Sequence, residues 1–186
     1  MLRKKIGRLD DHCRALIARS PLALLATTAA DGRIEISPRG GALGFARVSD
    51  DGAQLEFGDA KGNRLAESSR NIIATGRVAM LFLVPGYGET LRLTGRAHLT
   101  RDPDVLERHA GAAKPPPLAV VVDVEAAHLH CAAALLRARL WQPETWPDLA
   151  GVPRSAQIWK DHAAAPDPLD ELAAGIAEYY ATDLDW

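Results

Sequence analysis

The stretch TLRLTGRAHL, residues 90–99, alternates almost without a break. Leu91, Leu93, Ala97 and Leu99 fall on one side, and Thr90, Arg92, Thr94, Arg96 and His98 on the other. A period of two sends successive side chains to opposite faces of a strand, so one face should meet a core and the other solvent. Just upstream, VAMLFLV at 78–84 is apolar throughout, as expected of a central strand buried on both faces. PGYGE at 85–89 supplies the turn between them. Two strands joined so closely pair antiparallel.

The same signals extend outward. Residues 22–29 form an apolar run followed by ADG at 30–32, a hairpin turn. RIEIS at 33–37 then alternates, with Ile34 and Ile36 opposite Arg33, Glu35 and Ser37. SPRGGALG at 37–44 carries a proline and three glycines, which predicts a bulge or loop beside a functional surface. FARV, SDDG and QLEF read as strand, turn and strand, and LAVVVDV at 118–124 adds another strand.

Helical spacing is predicted over 9–19, with Leu9, Cys13, Leu16 and Ile17 aligned, and over 64–75, with Leu65, Ile72 and Ile73 inward and Gly76 as C-cap. A short helix begins at Asp102-Pro103. Another is expected over 127–140 from Leu129, Ala132, Leu136 and Leu140. Six or seven mostly hairpin-connected strands with helices around them predict an α+β chain built on an antiparallel barrel or sheet. The 186 residues suit a single domain, with 148–186 as a C-terminal extension holding two further helical pieces.

Composition narrows the function classes. The formal net charge is -2, so no overall basic excess points to nucleic acid. Any anion site must be a local cluster. Cys13 and Cys131 are far apart and form no CxxC, which matches a reducing cytoplasm and no disulfide framework. PLALLATTAA at 21–30 runs straight into a turn and is expected to be core rather than leader, and no stretch approaches a membrane span. There is no Walker A sequence, GxGxxG after a strand, GxSxG elbow or HExxH.

Local chemistry singles out GDAKGNRLAESSRN at 58–71. Gly58 and Gly62 flank Lys61 in a loop that runs into a helix start, with Asn63, Arg64, Ser69 and Arg70 nearby. Backbone N–H groups at a helix start, together with basic side chains, make a phosphate cradle. The same residues also suit a solvated basic helix start balanced by Glu67. Positive charge there is unfavourable without an anion, which favours the cradle. In SPRGG, Arg39 shares the outward parity of Ser37, and Gly40 permits close approach to the backbone; a plain turn is the simpler account. His128, His130 and Cys131 resemble metal ligands, but a structural helix accounts for them better, so no metal is expected. Arg139 and Trp141 end that helix as an interface anchor or as packing.

Taken in order, LALLATTAADGRIEISPRGG, LEFGDAKGNRLAESSRNI, GRVAMLFLVPGYGETLRLTGRAHL and HCAAALLRARLWQP resemble the pyridoxamine 5′-phosphate oxidase-related FMN-binding family, most closely a bacterial branch of it. The resemblance covers roughly residues 9–147. It implies a split β-barrel and a homodimer with FMN at the subunit interface. By position it implies that Asn63 and Arg64 hold the FMN phosphate, after a strand ending in Phe57 and Gly58. Arg39 would lie near flavin and substrate, and Thr90 would contact the flavin. Arg139 and Trp141 match the branch's own signature. Lys61, Ser69 and Arg70 are added from local chemistry alone. The Arg/His-rich substrate-phosphate site and the C-terminal Trp…Arg segment of the authentic oxidases are absent, so pyridoxamine phosphate oxidation is not implied. The expected function is an FMN-dependent oxidoreductase acting on a small molecule. The alternatives are a non-catalytic flavin- or haem-binding protein on the same barrel, and a deazaflavin-dependent reductase.

Overall fold

In the computed structural model, which describes residues 4–59, 66–110 and 115–182, the hairpin read from residues 78–99 is the centre of one sheet. Strand β5 (Arg77–Leu83) pairs antiparallel with β6 (Thr90–Thr100), Phe82 opposite Leu91 and Arg77 opposite Arg96. Leu91, Leu93 and Ala97 are buried, while Arg92, Arg96 and His98 are exposed, as the alternation requires. Strand β5 differs in degree from its expected burial. Val78, Met80 and Phe82 are buried, but Ala79 and Leu81 on the other face are only half-covered.

On one side β5 pairs with β1 (Leu22–Thr28), which pairs with β2 (Ile34–Gly40). On the other, β6 pairs with β7 (Leu118–His130), then β4 (Gln54–Asp59) and β3 (Ala46–Val48). The order is β2-β1-β5-β6-β7-β4-β3, antiparallel throughout. The sheet curls around a core that includes Leu25, Leu55, Phe57, Met80, Phe82, Leu93, Val120 and Val122. This is the α+β split barrel, with helices packed around it.

Helix α1 (Asp11–Ile17) starts at Asp10, whose carboxylate accepts from the Cys13 N–H, and buries Cys13 and Ile17. Helix α2 (Glu67–Thr75) packs on β1 and ends at Gly76 in a left-handed conformation. Ile72 faces the core, but Ile73, also expected inward, is exposed. Asn71 fills the second inward position and donates to Thr27 at 3.0 Å, both groups buried. Helix α3 (Pro103–Arg108) has Asp102 as N-cap and proline in its first turn.

Two expectations change. SPRG does not interrupt β2: Pro38, Arg39 and Gly40 continue it in register against Leu24, Ala23 and Leu22. Pro38 is tolerated because β2 is an edge strand with no partner on its outer side. The helix expected over 127–140 shrinks to α4 (Ala133–Arg137), because β7 continues to His130 along the full length of β6. Beyond it lie a 3-10 turn (Pro143–Thr145) and helices α5 (Ser155–Ala163) and α6 (Leu169–Thr182), which pack on each other. Among the described residues, no helix is long and apolar enough to cross a membrane.

Candidate functional site

The face of β2 that carries Glu35, Ser37 and Arg39 is the half-buried one, and Ile34 and Ile36 point outward, 69% and 66% exposed. Arg39 therefore does not point to solvent as its parity had suggested. Directly opposite residues share a face, and Arg39 stands opposite Ala23, itself opposite Phe82; both are fully buried. A charged side chain aimed at the core side of a sheet is costly unless it is paired or serves a ligand.

Arg39 is incompletely paired. Its Nη1 donates to Ser37 Oγ at 2.6 Å and to the Pro38 carbonyl at 2.9 Å. Its Nε lies 3.8 Å from Asp59 Oδ1, an ion pair of which only 19% and 17% of the side chains are exposed. That Nε is buried and has no hydrogen-bond partner. Asp59 in turn accepts from Ser69 Oγ at 3.0 Å. Ser37 and Arg39 from β2, Asp59 from the end of β4 and Ser69 from α2 thus form one polar cluster across the split. Helix α2 begins from Ala66, whose backbone is left-handed with φ 51°.

Lys61, Asn63 and Arg64 fall outside the described residues. The described chain stops at Asp59, which belongs to the cluster, and resumes at Ala66. Arg70 is exposed on α2, turned away from Ser68 and Asn71, which are buried. Phe57 is wholly buried and belongs to the core. Gly58 faces the other side of β4, where a Cβ would come within 2.9 Å of Pro116 Cγ. At Gly40 a Cβ would meet the Pro21 carbonyl oxygen at 2.7 Å, so this glycine lets β2 close on the entry to β1.

Thr90, Arg139 and Trp141 gather elsewhere. Thr90 is buried at the start of β6, opposite His130, on the sheet face away from Arg39. Trp141 Nε1 donates to the Tyr87 carbonyl at 2.8 Å, which fastens the segment after α4 to the β5–β6 turn. Arg139 is exposed there, with φ 48°. Among the described residues no hydrogen bond or ion pair joins this group to the Arg39 cluster. Nor do three His, Cys, Asp or Glu side chains come together as a metal site among the described residues.

Sequence reasoning overlooked Asp59 and Glu35. Asp59 was visible as the acid closing a strand before a basic loop, and its parity with buried Phe57 would have turned it inward. A second ionisable group lies outside the cluster. His109, after α3, is buried with Nε2 3.4 Å from Glu56 Oε1 and has no hydrogen-bond partner on that atom. Arg108 grips Glu56 through both nitrogens at 2.7 and 2.8 Å. Burial lowers the imidazole's pKa despite the neighbouring carboxylate, and the hydrogen bonds from Arg108 lower that of Glu56.

Known structures share this architecture. HupZ of Group A Streptococcus matches with a TM-score of 0.53 at 20% identity, over 63% of this chain and 90% of that one. A Lactobacillus delbrueckii protein named for pyridoxamine 5′-phosphate oxidase matches with a TM-score of 0.50 at 25% identity, over 67% and 98%. A conserved hypothetical protein of Mycobacterium tuberculosis covers more of the chain, 83% (and 98% of its own), with a TM-score of 0.50 at 14% identity. The first and third of these speak to the fold alone. No curated protein matches the chain. The family model described as pyridoxamine 5′-phosphate oxidase matches residues 9–131, from the start of the first helix to the end of β7. The chain belongs to the pyridoxamine 5′-phosphate oxidase family.

Proposed function

We propose that the chain binds FMN non-covalently and acts as a flavin-dependent oxidoreductase on a small molecule. The observation that carries this reading is the buried Arg39 Nε, a charged donor without a hydrogen-bond partner, next to Asp59, after which the sequence carries Lys61, Asn63 and Arg64. An unsatisfied donor of this kind is expensive unless a ligand completes it. A phosphate-bearing, electron-rich cofactor fits the donor set: the Arg39 guanidinium and the Ser37 hydroxyl, with Lys61, Asn63 and Arg64 following Asp59 in sequence. Family membership supports the same reading.

Asn63 and Arg64 would hold the phosphate through charge-assisted hydrogen bonds, with Lys61 adding charge. Arg39, steadied by Ser37 and Asp59, would orient toward the ring system and favour negative charge there. The flavin supplies the redox chemistry when bound; the chain's residues bind and orient it. Thr90, Arg139 and Trp141 do not meet the Arg39 cluster within one chain. A homodimer, in which each subunit brings one group to the other's cluster, would complete two equivalent sites. The absorbance spectrum of the purified protein, before and after addition of FMN, tests the reading. A flavin spectrum supports it, and a Soret band would point to haem instead.

A further inference from the structure

The outer face of β4 carries a second polar group, on the side opposite the Arg39 cluster. Glu56 and Gly58 lie on that face, because Phe57 and Asp59 turn inward. His109, which follows α3, lies over both. Its side chain is 4% exposed, and its Nε2 stands 3.4 Å from Glu56 Oε1. A Cβ on Gly58 would come within 3.4 Å of His109 Cβ and within 2.9 Å of Pro116 Cγ. The histidine and the proline therefore occupy the space that a side chain at 58 would fill. They hold the end of β4 from outside, while Asp59, the next residue, reaches Arg39 from inside. Gly58 and Asp59 are also the last rungs of the β4–β7 ladder, opposite Ala119 and Leu118.

The charges around His109 do not suit a second ring proton. The charged groups acting on it are Glu56 of β4, Arg47 of β3 and Arg108 of α3. Both oxygens of Glu56 are already taken by Arg108, at 2.7 and 2.8 Å. Arg47 stands opposite Glu56 in the β3–β4 ladder and donates to the Arg108 carbonyl at 3.3 Å. One carboxylate thus faces two guanidinium groups, and among the described residues the His109 Nε2 has no hydrogen-bond partner. The neutral ring suits this pocket. An imidazolium would be a third cation, buried and without an acceptor of its own, and such a charge is costly. Rotation to solvent relieves the cost and takes the ring away from Gly58.

We propose that His109 is a positioning residue for the Arg39 cluster: the neutral ring clamps the Gly58–Asp59 end of β4, and the protonated ring leaves and frees that end. Asp59 then moves as a whole, which unfastens the seam and leaves Arg39 unsupported; a change of its charge alone does neither. Flavin binding becomes sensitive to mild acid through a residue on the other face of the strand. That last step rests on the FMN reading above, whereas the loosening of β4 does not.

Two measurements on the full-length protein test it. The first is hydrogen exchange without flavin, corrected for the intrinsic pH dependence of the reaction. Residues 54–59 should lose about tenfold in protection between about pH 7.5 and about pH 5.5, relative to residues 77–83 of β5. His109→Gln keeps a polar, uncharged side chain in the pocket and should abolish that difference. The second is FMN titration over the same range. The unaltered protein should lose about threefold to tenfold more affinity than His109→Gln does, a comparison in which titration of the FMN phosphate cancels. Protection that falls equally in β4 and β5, or not at all, overturns the proposal. Identical pH profiles of the unaltered protein and His109→Gln overturn it too, and leave the flavin reading intact if FMN binds. Loosening of β4 that depends on His109, in a protein that takes up no FMN, defeats the flavin reading and leaves the clamp standing.

Discussion

Arg39 and Asp59 approach to 3.8 Å across the split of the barrel, although β2 is one end of the sheet order and β4 is next to the other. No backbone ladder joins these strands. The contact is made by side chains, with Ser37 and Ser69 completing it from β2 and α2. The pair therefore does two things. It fastens the open seam of the barrel, and it holds a guanidinium whose buried Nε has no hydrogen-bond partner beside the end of β4.

Removing the guanidinium should affect both roles. Arg39→Ala should weaken FMN binding by about 1.5–3 kcal/mol, the worth of a hydrogen bond to a charged group. Asp59→Asn keeps an acceptor for Ser69 and removes the charge that competes for Arg39, so affinity for FMN should hold or rise. Fluorescence titration of FMN against each variant distinguishes these effects. Equal losses in both would mean that the pair serves only the seam.

The buried Asn71–Thr27 hydrogen bond anchors α2 to β1 just behind the cluster. Asn71→Ala leaves the Thr27 hydroxyl buried without this donor and should cost about 1–3 kcal/mol of stability. Replacing both, with Thr27→Val and Asn71→Leu, should cost less than the sum of the single changes. Urea unfolding of the three variants measures the coupling.

Much of the barrel was legible in the sequence because alternation and turn chemistry agree there. The hairpin at 78–99 carries period-two patterning on one strand and glycine and proline in its turn, and no other element satisfies both. Two features escaped. On β2 the isoleucines look like the core face, but β2 is an edge whose inner side borders a polar cleft, so Glu35, Ser37 and Arg39 turn inward. At 127–140, Leu129 and Ala132 happen to fall at helical spacing in an alanine-rich run. The long ladder from β6 to β7 overrides that local preference. The cluster itself was half visible. Arg39, Ser37 and Ser69 stood out by residue type, but the partner that joins them, Asp59, depends on a contact between strands far apart in the sheet order.

Acid should loosen the barrel beside the site. Hydrogen bonds from Arg108 hold the Glu56 carboxyl below its ordinary value, so its stabilisation is present above the unfolded pKa and lost as pH falls through the folded one. Burial lowers His109 from an ordinary 6.5, so the unfolded chain takes up a proton more readily, and stability again drops as pH falls below that value. Thermal midpoints should therefore fall steadily from about pH 7 to about pH 4. His109→Phe should flatten the upper part of that decline, and Glu56→Gln the lower part. A midpoint independent of pH in the unaltered protein would contradict both assignments.

The two thiols should differ sharply. Cys13 is buried, and desolvation together with the Asp10 carboxylate pushes its thiol up to about 11. Cys131 is exposed after β7. A thiol reagent at neutral pH should modify Cys131 alone in the folded protein and both cysteines after denaturation. Mass mapping of the labelled peptides checks this.

The proposed role of the Arg39 cluster, with Lys61, Asn63 and Arg64, is to bind a phosphate-bearing flavin. It is tested most directly by the visible spectrum of the purified protein, followed by parallel titrations with FMN and with riboflavin, which lacks the phosphate. Yellow protein absorbing at about 450 nm, as flavins do, is expected, with FMN bound about tenfold or more tighter than riboflavin, from charge-assisted contacts to the phosphate. Colourless protein that takes up neither compound would contradict the flavin assignment. Equal affinity for the two would remove the phosphate from the site.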